Sequence, residues 1–341
     1  MKYLLILLLG LPFGVIAQYE GIYDLPLPEK FTDLKKGIEI YSTPNPNYAE
    51  YEDANERAIV WKHATVIKAT EAITIKETGA YLLHNGTWQL RASFNARKTK
   101  EMFDTKRLKL QQGDSVVFKE NWRYGTVTQT GWNFWYVIGK TASGELYYGY
   151  EILETKGSLE NGTQILPLKQ KDSQLSWSGK AGDSDYTLTG TLTDFTGRLV
   201  IQQDELEKCF LKINMDALQH EIPSLVNHLK NKDFFDVKQY PEASFQSTNI
   251  ESIGEHTYKV EGEFCLKGIC NTEVFEIKLA VDEKAYTVQF EGAVDRTQYG
   301  VLYASSKQPD KQYSIEDTIR FSGTFSFVKD YPGSMPWNTL K

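Results

Sequence analysis

The sequence predicts an all-β protein of two successive domains, the first a sandwich or small barrel and the second built of long alternating strands. Three observations carry this. First, long runs alternate apolar and polar residues with period two, which gives a strand one dry and one wet face. In residues 318–327 the odd positions are Ile319, Phe321, Gly323, Phe325 and Phe327, and the even ones are Thr318, Arg320, Ser322, Thr324 and Ser326. Second, turn dipeptides such as Asn85-Gly86, Gly113-Asp114 and Ser143-Gly144 punctuate the runs. Third, helical spacing interrupts the second domain over residues 221–232, where Ile222, Leu225, Val226 and Leu229 share one face.

Residues 1–17 read as a secretory signal: Lys2 is the positive end, residues 3–12 the apolar stretch, and Val15-Ile16-Ala17 the small-residue site before Gln18. Residues 18–57 form a Pro- and Tyr-rich arm whose Pro26, Pro28, Pro44 and Pro46 argue against regular structure. Residues 58–154 read as an all-β domain, with strands at 58–61, 66–69, 72–76, 87–94, 115–118, 133–138 and 145–153. Residues 155–172, containing Gly, Asn, Lys and Ser, read as a linker. The second domain spans 173–330, and 331–341 is a polar tail. An outer-membrane barrel alternates as well, with its apolar side outward. The few strands, the missing aromatic girdles and the polar tail favour the soluble form.

The formal net charge is −7, or −8 once Lys2 is removed with the signal. An acidic chain with scattered basic residues is a poor partner for nucleic acid or an anionic membrane. No segment after residue 17 is apolar enough to span a membrane as a helix, so an integral membrane protein is not expected. His63, His84, His220, His228 and His256 are scattered without metal-ligand spacing. No cofactor or metal is expected, and no motif singles out a catalytic group. The sequons at Asn85 and Asn161 sit in Asn-Gly turns.

The most informative stretch is His228-Leu229-Lys230-Asn231-Lys232-Asp233-Phe234-Phe235-Asp236-Val237-Lys238-Gln239-Tyr240-Pro241-Glu242-Ala243-Ser244-Phe245. It resembles the signature of the YceI-like family. The similarity extends upstream through Leu192-Thr193-Asp194-Phe195-Thr196-Gly197 and Asp204-Glu205-Leu206-Glu207-Lys208. Downstream it runs through Tyr258 to Phe264, Leu266-Lys267-Gly268-Ile269, and Asp295-Arg296-Thr297-Gln298-Tyr299-Gly300-Val301. The pieces fall in family order over 173–330. Two places depart: Leu175-Ser176-Trp177-Ser178-Gly179 stands where the family's opening strand is expected, and Gly268-Ile269-Cys270 replaces the usual hairpin.

The resemblance implies a lipocalin-like antiparallel β-barrel holding a long apolar lipid, such as a polyisoprenoid, a quinone or a fatty amphiphile. It also implies a bacterial protein, periplasmic or secreted, that binds without catalysis. A barrel of about eight strands either packs solid or holds one slender ligand. Gly190, Gly262, Gly292 and Gly323 lie in phase with large apolar residues, leaving room or letting the strand bend. With the resemblance they suggest an apolar tunnel. Its candidate lining is Leu188, Met215, Phe245, Val260, Phe264, Ile277, Phe290, Ile319, Phe321 and Phe325, with Leu225, Leu229, Phe234 and Phe235 closing one mouth. The rival is an envelope interaction or adhesin-like protein with a packed barrel.

In the first domain Trp122, Tyr124, Trp132, Phe134, Trp135, Tyr136, Tyr147, Tyr148 and Tyr150 either pack the core or form a platform for a protein or glycan partner. Cys265 and Cys270 flank the two-residue turn Lys267-Gly268, so they face one another across a hairpin and are expected to form a disulfide. Both carry the wet parity of their strands, while Cys209 has the dry parity of a buried free thiol.

Overall fold

The computed structural model describes residues 22–329 except 55, 57, 183–184 and 311–313; the signal at 1–17 and the tail at 331–341 lie outside them. Described strands form two sheets, one in each half of the chain.

The first sheet has ten strands and curls around its own interior. Its main path runs Ile38–Thr43, Ile59–Ala69, Asn47–Tyr51, Leu146–Leu159, Gly131–Thr141, Ile73–His84 and Thr87–Asn95. Leu146–Leu159 pairs in parallel with Lys35–Lys36 and Asn47–Tyr51, so the domain is mixed rather than purely antiparallel. Gly131–Thr141 is buried on both faces over residues 136–139. Trp132, Phe134, Tyr136 and Ile138 enter one cluster, and Val137 enters another with Ile38, Ile67, Ile73 and Ile75.

The expected irregular arm is structured where it is described. Phe31 packs its ring 5.2 Å from those of Tyr136 and Tyr148. Pro44 and Pro46, both cis, connect the strands Ile38–Thr43 and Asn47–Tyr51. Proline marked the connection correctly, but the flanking residues alternate buried and exposed as strands do. A short helix, Ala96–Met102, was not anticipated; Asn95 caps it by accepting from the Lys98 amide.

The expected linker is sheet rather than tether. Leu146–Leu159 continues past residue 154, turns at Gly162, and returns as Gln164–Pro167. That short strand pairs with Phe195–Gln202 and so forms an edge of the second sheet. Ile165 packs with Ala49, Ile59, Trp61 and Val127 of the first half, with Val200 of the second against them. The Trp61 indole donates to the Lys156 carbonyl at 2.9 Å. The two halves thus share a dry junction.

The second sheet has eleven strands, and consecutive antiparallel neighbours run from Phe195–Gln202 through Glu205–Asn214, Glu242–Gly254, Thr257–Leu266, Ile269–Val281, Ala285–Asp295 and Ile315–Val328 to Gln174–Ala181 and Thr187–Leu192. Thr187–Leu192 pairs with Leu218–Gln219, just beyond the end of Glu205–Asn214. The Asn214 amide donates to Asp194 O, and the Thr193 amide to Ala217 O. These bonds join the two ends of the sheet and close the barrel. The helix is shorter than its pattern suggested, Pro223–Lys230, because Pro223 opens it at the first helical position.

Candidate functional site

Inward positions of the second sheet make one apolar cluster, extended by Leu229, Phe234, Phe235 and Val237 from the helical insertion. Two cavities remain inside it. The upper, of about 110 Å³, is lined on the strand side by Trp177, Leu188, Ile319 and Phe321, and on the helix side by Leu225, Leu229, Phe234 and Phe235; Met215 also lines it. The lower, of about 80 Å³, is lined by Cys209, Phe245, Ile277, Phe290 and Phe325 among others. Ile213, Phe264 and Phe321 belong to both walls, so these three side chains stand where the cavities meet. The interior is therefore partitioned, in place of the expected continuous tunnel. Each space is smaller than the ~150 Å³ apolar cavity that holds a benzene.

Of the residues expected in the lining, all but Val260 reach one of these walls. Val260 is fully buried between Ile250 and Phe275 on the neighbouring strands. The reading missed Trp177, Gly179, Leu192 and Leu218 above, and Leu175, Leu199, Phe275 and Val288 below. Strand parity would have found several of them: Trp177 and Gly179 are in phase with Leu175, and Val288 with Phe290.

The four in-phase glycines have a different use from the one expected. A Cβ on Gly262 would lie 2.5 Å from Gln246 O and 2.5 Å from the Phe245 ring. Similar approaches meet Trp177 at Gly190, Phe275 at Gly292 and Phe290 at Gly323. Each glycine lets an aromatic ring lie over the backbone, so these positions are filled rather than hollow. The open position is Gly179, where a Cβ would meet no heavy atom within 4 Å.

Polar groups gather at the upper end. Lys180 pairs with Glu316 at 3.6 Å. Arg296, 1% exposed, donates to the carbonyls of Glu316, Val301, Tyr303 and Ile315, which fastens the backbone at those four residues to the barrel rim. His228 sits edge-on to Phe234 and Tyr303, with Nε2 3.4 Å from Asp233. It is a packing residue at the mouth. Cys265 and Cys270 are bridged, with Cα atoms 4.0 Å apart. Their turn is fixed to the same rim, because Lys267 donates to Lys232 O and Gly300 O. Cys209 is free, partly buried, and lines the lower cavity. Burial pushes its thiol up to about 12, against a smaller opposing effect of the Ser247 hydroxyl.

The aromatic run of the first half is mostly core. Trp132, Phe134, Tyr136 and Tyr148 are buried, and Trp135, Tyr147 and Tyr150 pack against that core. Only Trp122 and Tyr124 are exposed, in edge-to-face contact at 4.5 Å.

Comparison with known proteins agrees on the second half. Residues 167–327 match the model of the YceI-like domain. A UPF0312 protein of Pseudomonas putida is 34% identical over 89 residues, 26% of this chain and 46% of the relative. The chain thus spans about half the length of that relative. A UPF0312 protein of Azotobacter vinelandii is 27% identical over 140 residues, 38% of this chain and 73% of the relative. Among solved structures, Burkholderia cenocepacia BcnA aligns with 47% of this chain and 98% of its own at 18% identity, TM-score 0.42. A polyisoprenoid-binding domain from Saccharophagus degradans, implicated in plant cell wall breakdown, aligns with 50% of this chain and 99% of its own at 12% identity, TM-score 0.38. Motif order, closed barrel, helical insertion and family match coincide, and residues 167–327 of this chain form a YceI-like domain.

Proposed function

We propose that the barrel of residues 167–327 takes up one long apolar lipid, a polyisoprenoid, quinone or fatty amphiphile, and that the protein is an exported carrier acting by binding alone. The observation that carries this reading is the partitioned apolar interior. Two cavities meet at Ile213, Phe264 and Phe321 and are roofed by the Pro223–Lys230 helix with Phe234 and Phe235. Turning the Phe264 and Phe321 rings aside joins the cavities into a path for an extended chain. Each methylene leaving water contributes about 0.8 kcal/mol, so roughly ten carbons supply about 8 kcal/mol against the cost of ordering. Export to an oxidising compartment is consistent with the Cys265–Cys270 bridge.

The rival, an envelope interaction module with a packed barrel, draws support from the small volume of each cavity. Organic extraction of the full purified chain, followed by mass spectrometry, separates the two. The carrier reading expects a co-purifying long-chain lipid near one per chain. Clean apoprotein from several expression hosts would favour the packed module.

A further inference from the structure

We propose that the indole N–H of Trp177 is the hydrogen-bond donor for the polar end of the bound lipid, and that this end is a neutral carbonyl oxygen. The proposal rests on the lipid-binding reading above and names the chemistry of its ligand. Trp177 is 8% exposed and lines the upper cavity. Its Nε1 is shut off from solvent and has no hydrogen-bond partner among the described residues. A buried indole N–H ordinarily finds a partner, because its lost hydration is otherwise uncompensated. Space lies beside it on the same strand. Gly179, two residues on and facing the same way, leaves its Cβ position open. The cross-strand neighbours of Trp177 and Gly179 are Phe321 and Ile319 on one side and Gly190 and Leu188 on the other. Trp177 and the room at Gly179 therefore belong to one wall of one cavity.

The charged groups at this end select against an ionic head. Lys180 is paired with Glu316, which also holds Arg320 at 3.2 Å. The Arg296 guanidinium is engaged by four backbone carbonyls. A phosphate would have to displace one of these partners. A carbonyl oxygen needs only the indole N–H, which donates and cannot accept. Trp177 and Gly179 lie in the opening strand, where this chain departs from the pattern it otherwise resembles. The preference is thus a property of this sequence.

The test uses the full chain after delipidation, with a neutral naphthylamine fluorophore displaced by pentadecyl methyl ketone, heptadecane or hexadecyl phosphate. The wild type is expected to favour the ketone over the alkane by about tenfold, equivalent to about 1.4 kcal/mol, and over the phosphate as well. Trp177→Phe is expected to reduce the ketone advantage to about twofold while leaving alkane affinity within about threefold. A ketone advantage that survives Trp177→Phe overturns the role of Trp177. Stronger displacement by the phosphate overturns the neutral head. Equal displacement by ketone and alkane overturns the head-group proposal and leaves the carrier reading standing. Failure of all three to displace the fluorophore, with no lipid extractable, overturns the carrier reading itself. Should Trp177→Phe fail to fold, ¹⁵N-indole spectra of the wild type decide. One buried Nε1–H signal must move with the ketone and stay with the alkane, and the absence of such movement overturns the proposal.

Discussion

Both halves of the molecule are curled sheets of strongly alternating strands, yet their interiors differ in chemistry. The first buries polar side chains: Ser42, Asn47, His63, Thr65, Thr78 and Asn121 are each under a tenth exposed. Several satisfy one another, as Asn121 with Thr65 at 2.9 Å and Thr78 with Thr99 at 2.9 Å. In the barrel of the second half, the described buried polar residues are Arg296, Thr297 and Ser305, all in the rim segment, where Arg296 also lines the end of the upper cavity. Alternation says which residues face inward, and the type of those residues says what the inside is for. A polar interior holds itself together by hydrogen bonds and has a fixed shape. An apolar one loses little by exchanging its own side chains for a ligand of the same character.

The comparison is broken most severely at the junction. Trp61→Ala removes a fully buried indole that packs against Ile165 and donates to Lys156 O. It is expected to destabilise the chain by about 4 kcal/mol, with both halves losing their unfolding midpoint in denaturant titrations followed by near-ultraviolet circular dichroism. A shift confined to the first half would show that the junction does not couple them. Gly262→Leu comes next. Its Cβ has no room between Gln246 O and the Phe245 ring, and overpacking should cost about 3 kcal/mol in the barrel alone. A folded, fully loaded Gly262→Leu protein would contradict the packing described above.

The polar interior should also show itself through pH. Burial lowers His63 from 6.5 to about 4, the nearby Trp61 backbone opposing this less strongly, and neither ring nitrogen has a well-formed hydrogen-bond partner. The unfolded chain therefore takes up a proton near pH 6.5 that the folded chain refuses until about pH 4. The stabilising contribution is complete above pH 6.5 and lost as pH falls toward 4, by about 3 kcal/mol. Urea midpoints at neutral and mildly acidic pH measure the loss, and His63→Phe should flatten the slope. An unchanged slope would mean another group sets it.

Much of the barrel was legible because its signals are local. Ile319, Phe321 and Phe325 announce an inner face by parity alone, and Cys265 and Cys270 announce a bridge because a two-residue turn leaves them opposite one another. The linker was misread because Gly157, Asn161 and Gly162 look like loop residues, whereas Thr155, Ile165 and Leu166 are buried by partners distant in sequence. The glycines were misread for a related reason. A missing side chain is visible in sequence, but the ring that fills its place, Phe245 over Gly262 or Phe290 over Gly323, comes from another strand. Trp177 was missed because an indole in a cavity wall and one in solid core share the same alternation. Only the empty volume beside it distinguishes them.

The most direct test of the central claim, that the barrel interior receives the lipid, is the loading of Gly179→Leu. The substitution starts a side chain in open space beside Trp177, Leu188 and Ile319, where its Cβ meets no heavy atom within 4 Å. Lipid extracted per mole of folded chain is quantified by mass spectrometry beside the wild type. The account predicts a protein of unchanged thermal midpoint carrying less than about a tenth of the wild-type lipid. Equal loading of the two proteins would place the lipid elsewhere and contradict the account.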